Sequence, residues 1–182
     1  MRSRISSFPN PPNAHRNGFS LLELMIVMAI GLALLGFAIP VVRSAIRNYS
    51  LTSATGNLTR MMQLARMTAI QQGSNACTVL QGRLFGMDAN CDGALGNTER
   101  AYALPNGITL SAAGPAATGM NFPTTPVAVA SPFAITFNSR GNTTVSPVAS
   151  LIYITGWGNN KAVTVSGAGR TRSWSYDGTS WH

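Results

Sequence analysis

An uncharged apolar run near the N-terminus dominates the hydrophobic pattern of this chain. No charged side chain occurs from Leu24 to Val42. At 1.5 Å per residue, a helix of this length spans roughly 28 Å, which is close to the hydrocarbon thickness of a bilayer. The pattern therefore predicts a transmembrane helical segment over residues 19–42.

Beyond Pro40 the apolar positions recur at the spacing of an amphipathic helix. The apolar residues at this spacing are Ile46, Tyr49, Ala54, Leu58, Met61, Met62, Ala65 and Ala69. The methionines among them are expected to fill gaps in the core, and Gly73 supplies a stop signal. The sequence thus predicts that the helix continues as an amphipathic half over residues 43–73.

The chain after Gly73 changes to short β-type segments that Gly, Pro, Asn and Ser separate. Strands are predicted at 76–80, 83–87, 100–104, 107–110, 133–138, 150–155, 161–166 and 170–176. The Ala-, Pro- and Thr-rich residues 112–132 predict a mobile loop. The expected fold class is α+β: one long N-terminal transmembrane and amphipathic helix packed on a mainly antiparallel β-sheet, with residues 74–182 as a β-rich head.

The residues ahead of the apolar run predict a processed leader. Residues 1–18 carry three arginines, several prolines and no acid, which is typical of a cationic, non-helical leader. Gly18 is the small residue suited to processing, and it precedes the apolar run, whereas a secretory signal is cut after its apolar stretch. Cleavage at Gly18 would therefore leave the hydrophobic helix on the mature chain.

The stretch GFSLLE at 18–23 resembles the type III leader of type IV pilins and pseudopilins. These proteins have a basic leader, a glycine, a phenylalanine that becomes the new N-terminus and a glutamate at mature position five, and Pro40 falls where they commonly carry a proline. The resemblance implies that a prepilin peptidase cleaves after Gly18 and methylates the amine of Phe19. It also implies a single-pass inner-membrane protein with a periplasmic head, which joins other pilins in a pilus or pseudopilus.

Glu23 places a carboxylate one turn into this apolar segment, where an ionisable side chain is costly unless it finds a partner or the interface. In a filament of packed apolar helices, the amino terminus of one subunit is a buried cation that a carboxylate at the same depth can neutralise. Glu23 would supply that carboxylate for assembly. The alternative is a glutamate that reaches the interface of a plain signal anchor.

Three later stretches resemble the GspH/FimT family of minor pilins: QLARMTAIQQG at 63–73, FAITFNSRGNTT at 133–144 and AVTVSGAGRTR at 162–172. This resemblance implies a FimT-like minor pilin of a type IV pilus system. Such a protein helps to prime or assemble the filament and binds DNA non-specifically for uptake in natural transformation, which gives a role in competence. The alternative is a GspH-like minor pseudopilin of type II secretion, whose partners are proteins.

The charge balance supports a polyanionic partner without identifying it. The chain carries a formal charge of +8, and removal of the three leader arginines leaves +5. GRTR at 169–172 matches the DNA-binding element of FimT-like minor pilins. The residues predicted to contact DNA are Arg140, Lys161, Arg170, Arg172, Trp174 and Tyr176.

Strand geometry supports four of these residues independently of the resemblance. In an extended strand Arg170, Arg172, Trp174 and Tyr176 share one face, because side chains alternate with period two. Two phosphate-binding guanidiniums would then lie beside two rings on which bases can stack. The alternative is a solvated cationic edge strand that discourages aggregation.

Cys77 and Cys91 are the only cysteines in the chain. An even pair in an oxidising compartment is usually a disulfide, so a head outside the cytoplasm predicts a bond between them. Two buried thiols are the alternative.

An acidic stretch satisfies the calcium-loop pattern D-x-[DN]-x-[DN]-G-x5-E. The candidate ligands are Asp88, Asn90, Asp92 and Glu99. Hard oxygen ligands at these positions, with Gly93 at the sharp turn, suit calcium, although the flanking residues predict strands rather than helices. The alternative is a polar hairpin that binds no metal, since such a hairpin would have much the same sequence.

Catalysis has little support in the sequence. The two histidines are His15, in the predicted leader, and His182, the last residue of the sequence. No nucleophile and base stand out as a pair among the remaining residues. We therefore expect that the protein is not an enzyme and that it has no cofactor other than the candidate calcium ion.

The leader interpretation predicts that Gly18→Val blocks maturation and leaves membrane insertion intact, because the peptidase needs close approach to a residue without a Cβ. Mass spectrometry of the mature N-terminus measures this. An intact Met1, or a cut beyond Pro40, in the assembled protein would contradict the pilin interpretation.

Overall fold

The computed structural model describes residues 19–96, 99–122, 125–144 and 149–182. The predicted leader, including Gly18, lies outside the described residues. The chain forms two compact units, and the division between them falls between Val42 and Arg43.

The first unit contains the apolar half of one continuous helix. Helix α1 spans Leu21–Gln72, carries Glu23 in its first turn and includes Pro40 without a break. Its most apolar stretch of 18 residues has a mean hydropathy of 2.6, and none of that stretch is buried. Among the described residues, α1 is therefore the one helix long and apolar enough to cross a bilayer.

The second half of α1 buries a stripe of small and medium side chains. The buried residues are Leu51, Ala54, Thr55, Leu58, Met62, Ala65 and Ala69. Ile46 and Tyr49 follow the same helical spacing but are 60% and 75% exposed. Helical spacing identifies one face of a helix but does not say how far the sheets cover it, and here the cover begins at Leu51.

Gly73 ends the helix in the left-handed conformation, with φ of 63°, as its stop signal predicts. The strands that follow are β1 Ala76–Gln81, β2 Leu84–Asp88, β3 Ala101–Ala103, β4 Ile108–Ser111, β5 Val127–Ala128, β6 Phe133–Phe137, β7 Ser150–Gly156, β8 Asn159–Val165 and β9 Thr171–Ser175. The α+β class is confirmed, and each predicted strand overlaps an observed one. The short strand β5 was missed because two residues carry no periodic signal.

The strands form two sheets rather than the single sheet that the sequence predicted. Sheet A has the order β3-β2-β1-β6, and sheet B has the order β4-β7-β8-β9 with β5 beside β7. Only the β5–β7 pair is parallel among the described strand pairs. Short turns join neighbours such as β1–β2 and β7–β8, which accounts for the antiparallel pairing.

The main core lies between α1 and the inner faces of both sheets. Sheet A contributes Leu80, Phe85, Ile135 and Phe137, and sheet B contributes Ile152, Ile154, Val163 and Val165. A second cluster covers the outer face of sheet B and consists of Leu151, Tyr153, Ala162, Trp174 and Trp181. The inner face of sheet B and part of its outer face are therefore buried.

Part of the predicted mobile loop packs against this outer face. The Tyr153 hydroxyl donates a hydrogen bond to the Pro115 carbonyl at 2.9 Å, and Trp181 Nε1 donates to the Ala116 carbonyl at 2.9 Å. Burial beneath the loop raises the pKa of Tyr153. The N-terminal part of the loop is thus a structural cover, and β5 adds a strand from the same segment.

The predicted disulfide is confirmed. Cys77 and Cys91 are bonded, with a Cα–Cα distance of 5.3 Å. Cys77, the second residue of β1, lies opposite Asp88 at the end of β2, so the bond ties the loop after β2 to the start of β1. The loop continues over sheet A, where a Cβ on Gly86 would come within 2.7 Å of Leu95 Cδ2.

Replacement of both cysteines by serine is expected to lower the free energy of unfolding of the head by about 3 kcal/mol, because the unfolded chain regains the freedom of a loop of this length. Urea unfolding of the full chain in detergent, followed by near-ultraviolet circular dichroism, measures the change. Reductant should reproduce the loss in the parent and have no effect on the double variant. Equal unfolding midpoints for parent and variant would contradict the prediction.

Candidate functional site

The pairing of β9 with β8 sets which of the predicted DNA-contacting side chains share a face. Arg172 lies opposite Thr164, and Lys161 lies opposite Ser175. Directly paired residues of an antiparallel ladder share a face, and neighbours along a strand alternate. Arg172 and Trp174 therefore lie on the outer face of sheet B, and Lys161 lies on the inner face. The grouping of Lys161 with Arg172 was wrong.

Trp174 is not available as a stacking surface. The residue is only 3% exposed, and its Nε1 donates a hydrogen bond to Thr164 Oγ1 at 2.8 Å. The Arg172 guanidinium carbon lies 4.2 Å from the centroid of the ring, in a cation–π contact. The buried Trp174 ring therefore packs against the Arg172 guanidinium. The prediction that Trp174 stacks on a base was wrong.

Tyr176 belongs to the packing of the C-terminal segment. Its ring centroid lies 5.1 Å from that of Trp181, and its hydroxyl donates to the Gly178 carbonyl at 3.0 Å. The side chain is half-buried. Period-two alternation predicted its face correctly but gave no sign that Trp181 would cover part of the ring.

Arg170 and Arg172 line one groove on the surface of sheet B. The groove has a volume of about 370 Å³, and its lining residues are Asn121, Phe122, Ser166, Arg170, Thr171 and Arg172. Both arginines are exposed, and none of the described lining residues carries a carboxylate. The groove can therefore accept an anion between two guanidiniums, with the half-buried ring of Phe122 beside it. Sequence analysis missed Phe122 because it lies in a loop without periodicity.

Arg66 connects the two turns that carry the other cations of this region. Its Nε donates to the Gly141 carbonyl at 2.9 Å, and its Nη2 donates to the Ala168 carbonyl at 3.2 Å. Gly169 follows with a positive φ of 72°, and a Cβ on it would meet the Gly141 carbonyl oxygen. The close approach of the two turns brings the residue after Gly169, Arg170, near the turn that holds Arg140. Nothing in the sequence distinguishes Arg66 from the other arginines of α1.

Lys161 lies in a different groove. Its Nζ donates to Ser175 Oγ at 2.6 Å, and burial lowers its pKa. The groove around it has a volume of about 240 Å³ and includes Asn48 and Thr52 of α1. Lys161 is thus held between the helix and sheet B, away from the groove of Arg170 and Arg172.

Asp177, the acid nearest in sequence to β9, stabilises the turn in which it lies. Its Oδ1 accepts hydrogen bonds from the backbone N–H groups of Ser180 at 2.7 Å and Thr179 at 2.8 Å. These bonds lower the pKa of the Asp177 carboxyl, with a smaller contribution from the charge of His182. The His182 imidazole Nδ1 lies 3.9 Å from Asp177 Oδ2.

The calcium candidates use their oxygens to organise the loop after β2. Asp88 is buried, and its carboxylate accepts from the backbone N–H groups of Cys91 at 2.6 Å and Gly93 at 2.9 Å. Glu99 Oε1 accepts from the Ala89 N–H at 3.1 Å. This is the pattern of a polar turn in which carboxylates replace missing backbone partners.

The other two candidates bond to each other, since Asn90 Nδ2 donates to Asp92 Oδ2 at 3.0 Å. Within the part of the chain that the structure describes, no group of three or more His, Cys, Asp or Glu side chains could hold a metal ion. Calcium binding by this loop stays a prediction.

The residues of the predicted assembly motif lie in the first unit. Phe19 and Glu23 are both exposed, and Glu23 stands in the first turn of α1, where a negative charge is favourable next to the helix N-terminus. Gly18, the predicted cleavage position, lies outside the described residues.

Comparison with known proteins identifies the N-terminal segment. Residues 13–39 match the family described as the prokaryotic N-terminal methylation motif. Two crystal forms of the type IV minor pilin FimU from Pseudomonas aeruginosa strain PAO1 are similar to this chain at 20% identity. One covers 67% of this chain and 90% of FimU with a TM-score of 0.47, and the other covers 69% and 88% with a TM-score of 0.49. The comparison with curated proteins gives no match.

The methylation motif covers the start of the long apolar helix α1, and the α+β head follows in the same chain. These two features together make the chain a type IV pilin-like protein.

Proposed function

We propose that this chain is a minor pilin of a type IV pilus system, which helps to prime or assemble the filament. The observation that carries the proposal is the methylation motif at 13–39, which includes Phe19 and Glu23 at the start of an exposed apolar helix. Pilin-like proteins are structural subunits, so the role is assembly rather than catalysis. A prepilin peptidase would cleave after Gly18 and methylate Phe19.

The exposed half of α1 supports this role on physical grounds. Its side chains up to Val42 are almost entirely exposed and apolar, so their contact with water is energetically unfavourable. The inner membrane would surround this segment before assembly, with the head in the periplasm. The packed helices of other pilins would replace the lipid afterwards, and Glu23 would then neutralise the buried amine of a neighbouring Phe19.

The groove of Arg170 and Arg172 supports a second part of the proposal, non-specific binding of DNA for uptake. Guanidiniums bind phosphates in a forked geometry, and phosphate contacts carry no sequence information. Phe122 rather than Trp174 would lie against a sugar or base, because Trp174 is buried. Arg140 would extend the cationic surface along the neighbouring turn.

A minor pseudopilin of type II secretion is the second candidate. The burial of Trp174 and the position of Lys161 on the inner face favour it, because each removes a DNA contact that the sequence had predicted. In that role the head would contact protein partners, and the same processed helix would enter a short pseudopilus.

Glu23→Ala is expected to prevent incorporation into filaments while the head stays folded. The buried amine of a neighbour would lose its counter-charge, at a cost of about 3–5 kcal/mol when fully desolvated. The measurement is the amount of the variant in sheared filaments relative to the membrane fraction. Asp177→Asn, which removes a carboxylate from the head, is the matched control and should assemble as the parent does. Normal incorporation of Glu23→Ala would refute this role.

The double change Arg170→Ala with Arg172→Ala is expected to weaken DNA binding and flatten its salt dependence. If two or three phosphates are neutralised by Arg140, Arg170 and Arg172, the log–log salt slope should be about −2 to −3, and the double variant should lose about 2 of it. Titration of labelled duplex with the full mature chain in nanodiscs, at several salt concentrations, gives the slope.

Lys161→Gln is the control for this titration, because Lys161 lies on the inner face and should leave the slope unchanged. Binding of the double variant at parental strength would show the groove assignment to be wrong. If the parent fails to bind at low salt, the secretion pseudopilin becomes the better proposal.

A further inference from the structure

A strained tryptophan lies at the tip of the β7–β8 hairpin. Trp157 and Gly158 form the two-residue turn between Gly156 and Asn159, with positive φ values of 52° and 84°. Turns with two positive φ values favour Asn, Asp and Gly, and a bulky side chain in that conformation is an outlier. Backbone strain of this kind is concentrated at sites where function uses it.

Contacts with α1 and with the residues before β4 hold this tip in place. The ring of Trp157 lies over Gly107, where a Cβ would come within 2.8 Å of the indole. The Arg47 guanidinium carbon is 5.9 Å from the ring centroid. Asn159 Nδ2 donates to Asn48 Oδ1 at 2.6 Å. The hairpin tip is therefore fixed beside the stretch of α1 around Arg47.

The indole remains partly accessible in this position. Trp157 is 39% exposed, whereas Trp174 and Trp181 are each 3% exposed. The tip thus presents aromatic surface that the packing of the head does not use.

The surroundings of the indole are cationic. Arg43 and Arg47 are both exposed and stand one helical turn apart on the same side of α1. The sequence has no acid from Arg43 to Met87 and none from Ala149 to Tyr176. The hairpin and its helix partner therefore come from two stretches in which every charged side chain is positive.

We propose that Trp157, Arg43 and Arg47 form a membrane-docking tip, which binds the headgroup layer of an anionic phospholipid bilayer. Arg47 follows Val42, the last residue of the apolar run, by only five positions, so it falls at the depth of the headgroups when that run spans the bilayer. Tryptophan is enriched at this interface, and arginines beside it are attracted to anionic lipids. A second copy of the tip would be repelled by like charges, which favours lipid as the partner.

Docking would act on the subunit before assembly, and it involves none of the residues proposed to bind DNA. Docking at the tip would hold the hairpin side of the head against the membrane surface. The strained conformation of Trp157 would be retained because it places the indole over Gly107, where part of the ring stays accessible.

Tryptophan fluorescence in vesicles tests the proposal. The full mature chain is reconstituted into phosphatidylcholine vesicles that contain phosphatidylglycerol and a quencher on the lipid headgroup. Emission of the parent should be quenched, and Trp157→Phe should lose most of that quenching, because Trp174 and Trp181 are buried. Phenylalanine retains a ring over Gly107, so the hairpin should fold, which near-ultraviolet circular dichroism checks.

The arginines are tested in the same vesicles. Arg43→Gln and Arg47→Gln should each lower the ratio of docked to undocked heads about fivefold. Omission of phosphatidylglycerol should lower the ratio at least as much. Arg100→Gln is the matched control, because Arg100 is exposed but lines a groove with Asn57 and Arg60, further along α1, and it should dock as the parent does.

Three results would overturn the proposal. The first is equal quenching in the parent and Trp157→Phe, and the second is equal quenching with and without phosphatidylglycerol. The third is quenching or a blue shift of Trp157 that depends on the protein-to-lipid ratio, which would assign the tip to contacts between copies of the chain.

Discussion

The burial of one stripe of α1 between two β-sheets is the interaction on which the rest of the head depends. The stripe runs from Leu51 to Ala69, and three of its members are alanines, which let the sheets approach the helix closely. Phe85 and Phe137 of sheet A and Ile152 and Ile154 of sheet B fill the space around it. Neither sheet has another buried helix among the described residues, so both inner faces rely on this stripe to exclude water.

The outer faces of the sheets are covered by the chain segments that lack regular structure. Leu95 and the disulfide-bonded loop lie over sheet A, and the residues around Pro115 lie over Tyr153 and Trp181 of sheet B. These covers explain why Trp174 is buried although β9 is the last strand of its sheet. They also leave Arg172 of β9, and Arg170 just before the strand, at the rim of the covered region, where both line a groove.

The uneven distribution of charge links the two surfaces proposed to bind anions. Asp88, Asp92 and Glu99 are concentrated in one loop, where they accept hydrogen bonds from backbone amides. The second half of α1 and strands β7 to β9 carry cations without acids. Arg170 and Arg172 offer one surface to a polyanion, and Arg43 and Arg47 offer another to a lipid headgroup layer. The two surfaces lie at different positions along α1. Arg66 holds the turns beside the first surface, and Arg47 contacts Trp157 in the second.

The sequence by itself determined the class of protein and the α+β fold. The apolar run, Glu23 and the residues around Gly18 are local signals, and period-two and helical patterns placed the strands and most of the buried stripe, because each depends on neighbours along the chain. Only the tertiary structure decided the division into two sheets, the exposure of Ile46 and Tyr49, the burial of Trp174 and the separation of Lys161 from Arg172. Each of these depends on the register and cover that distant segments supply, and no local pattern records which segment will cover which face.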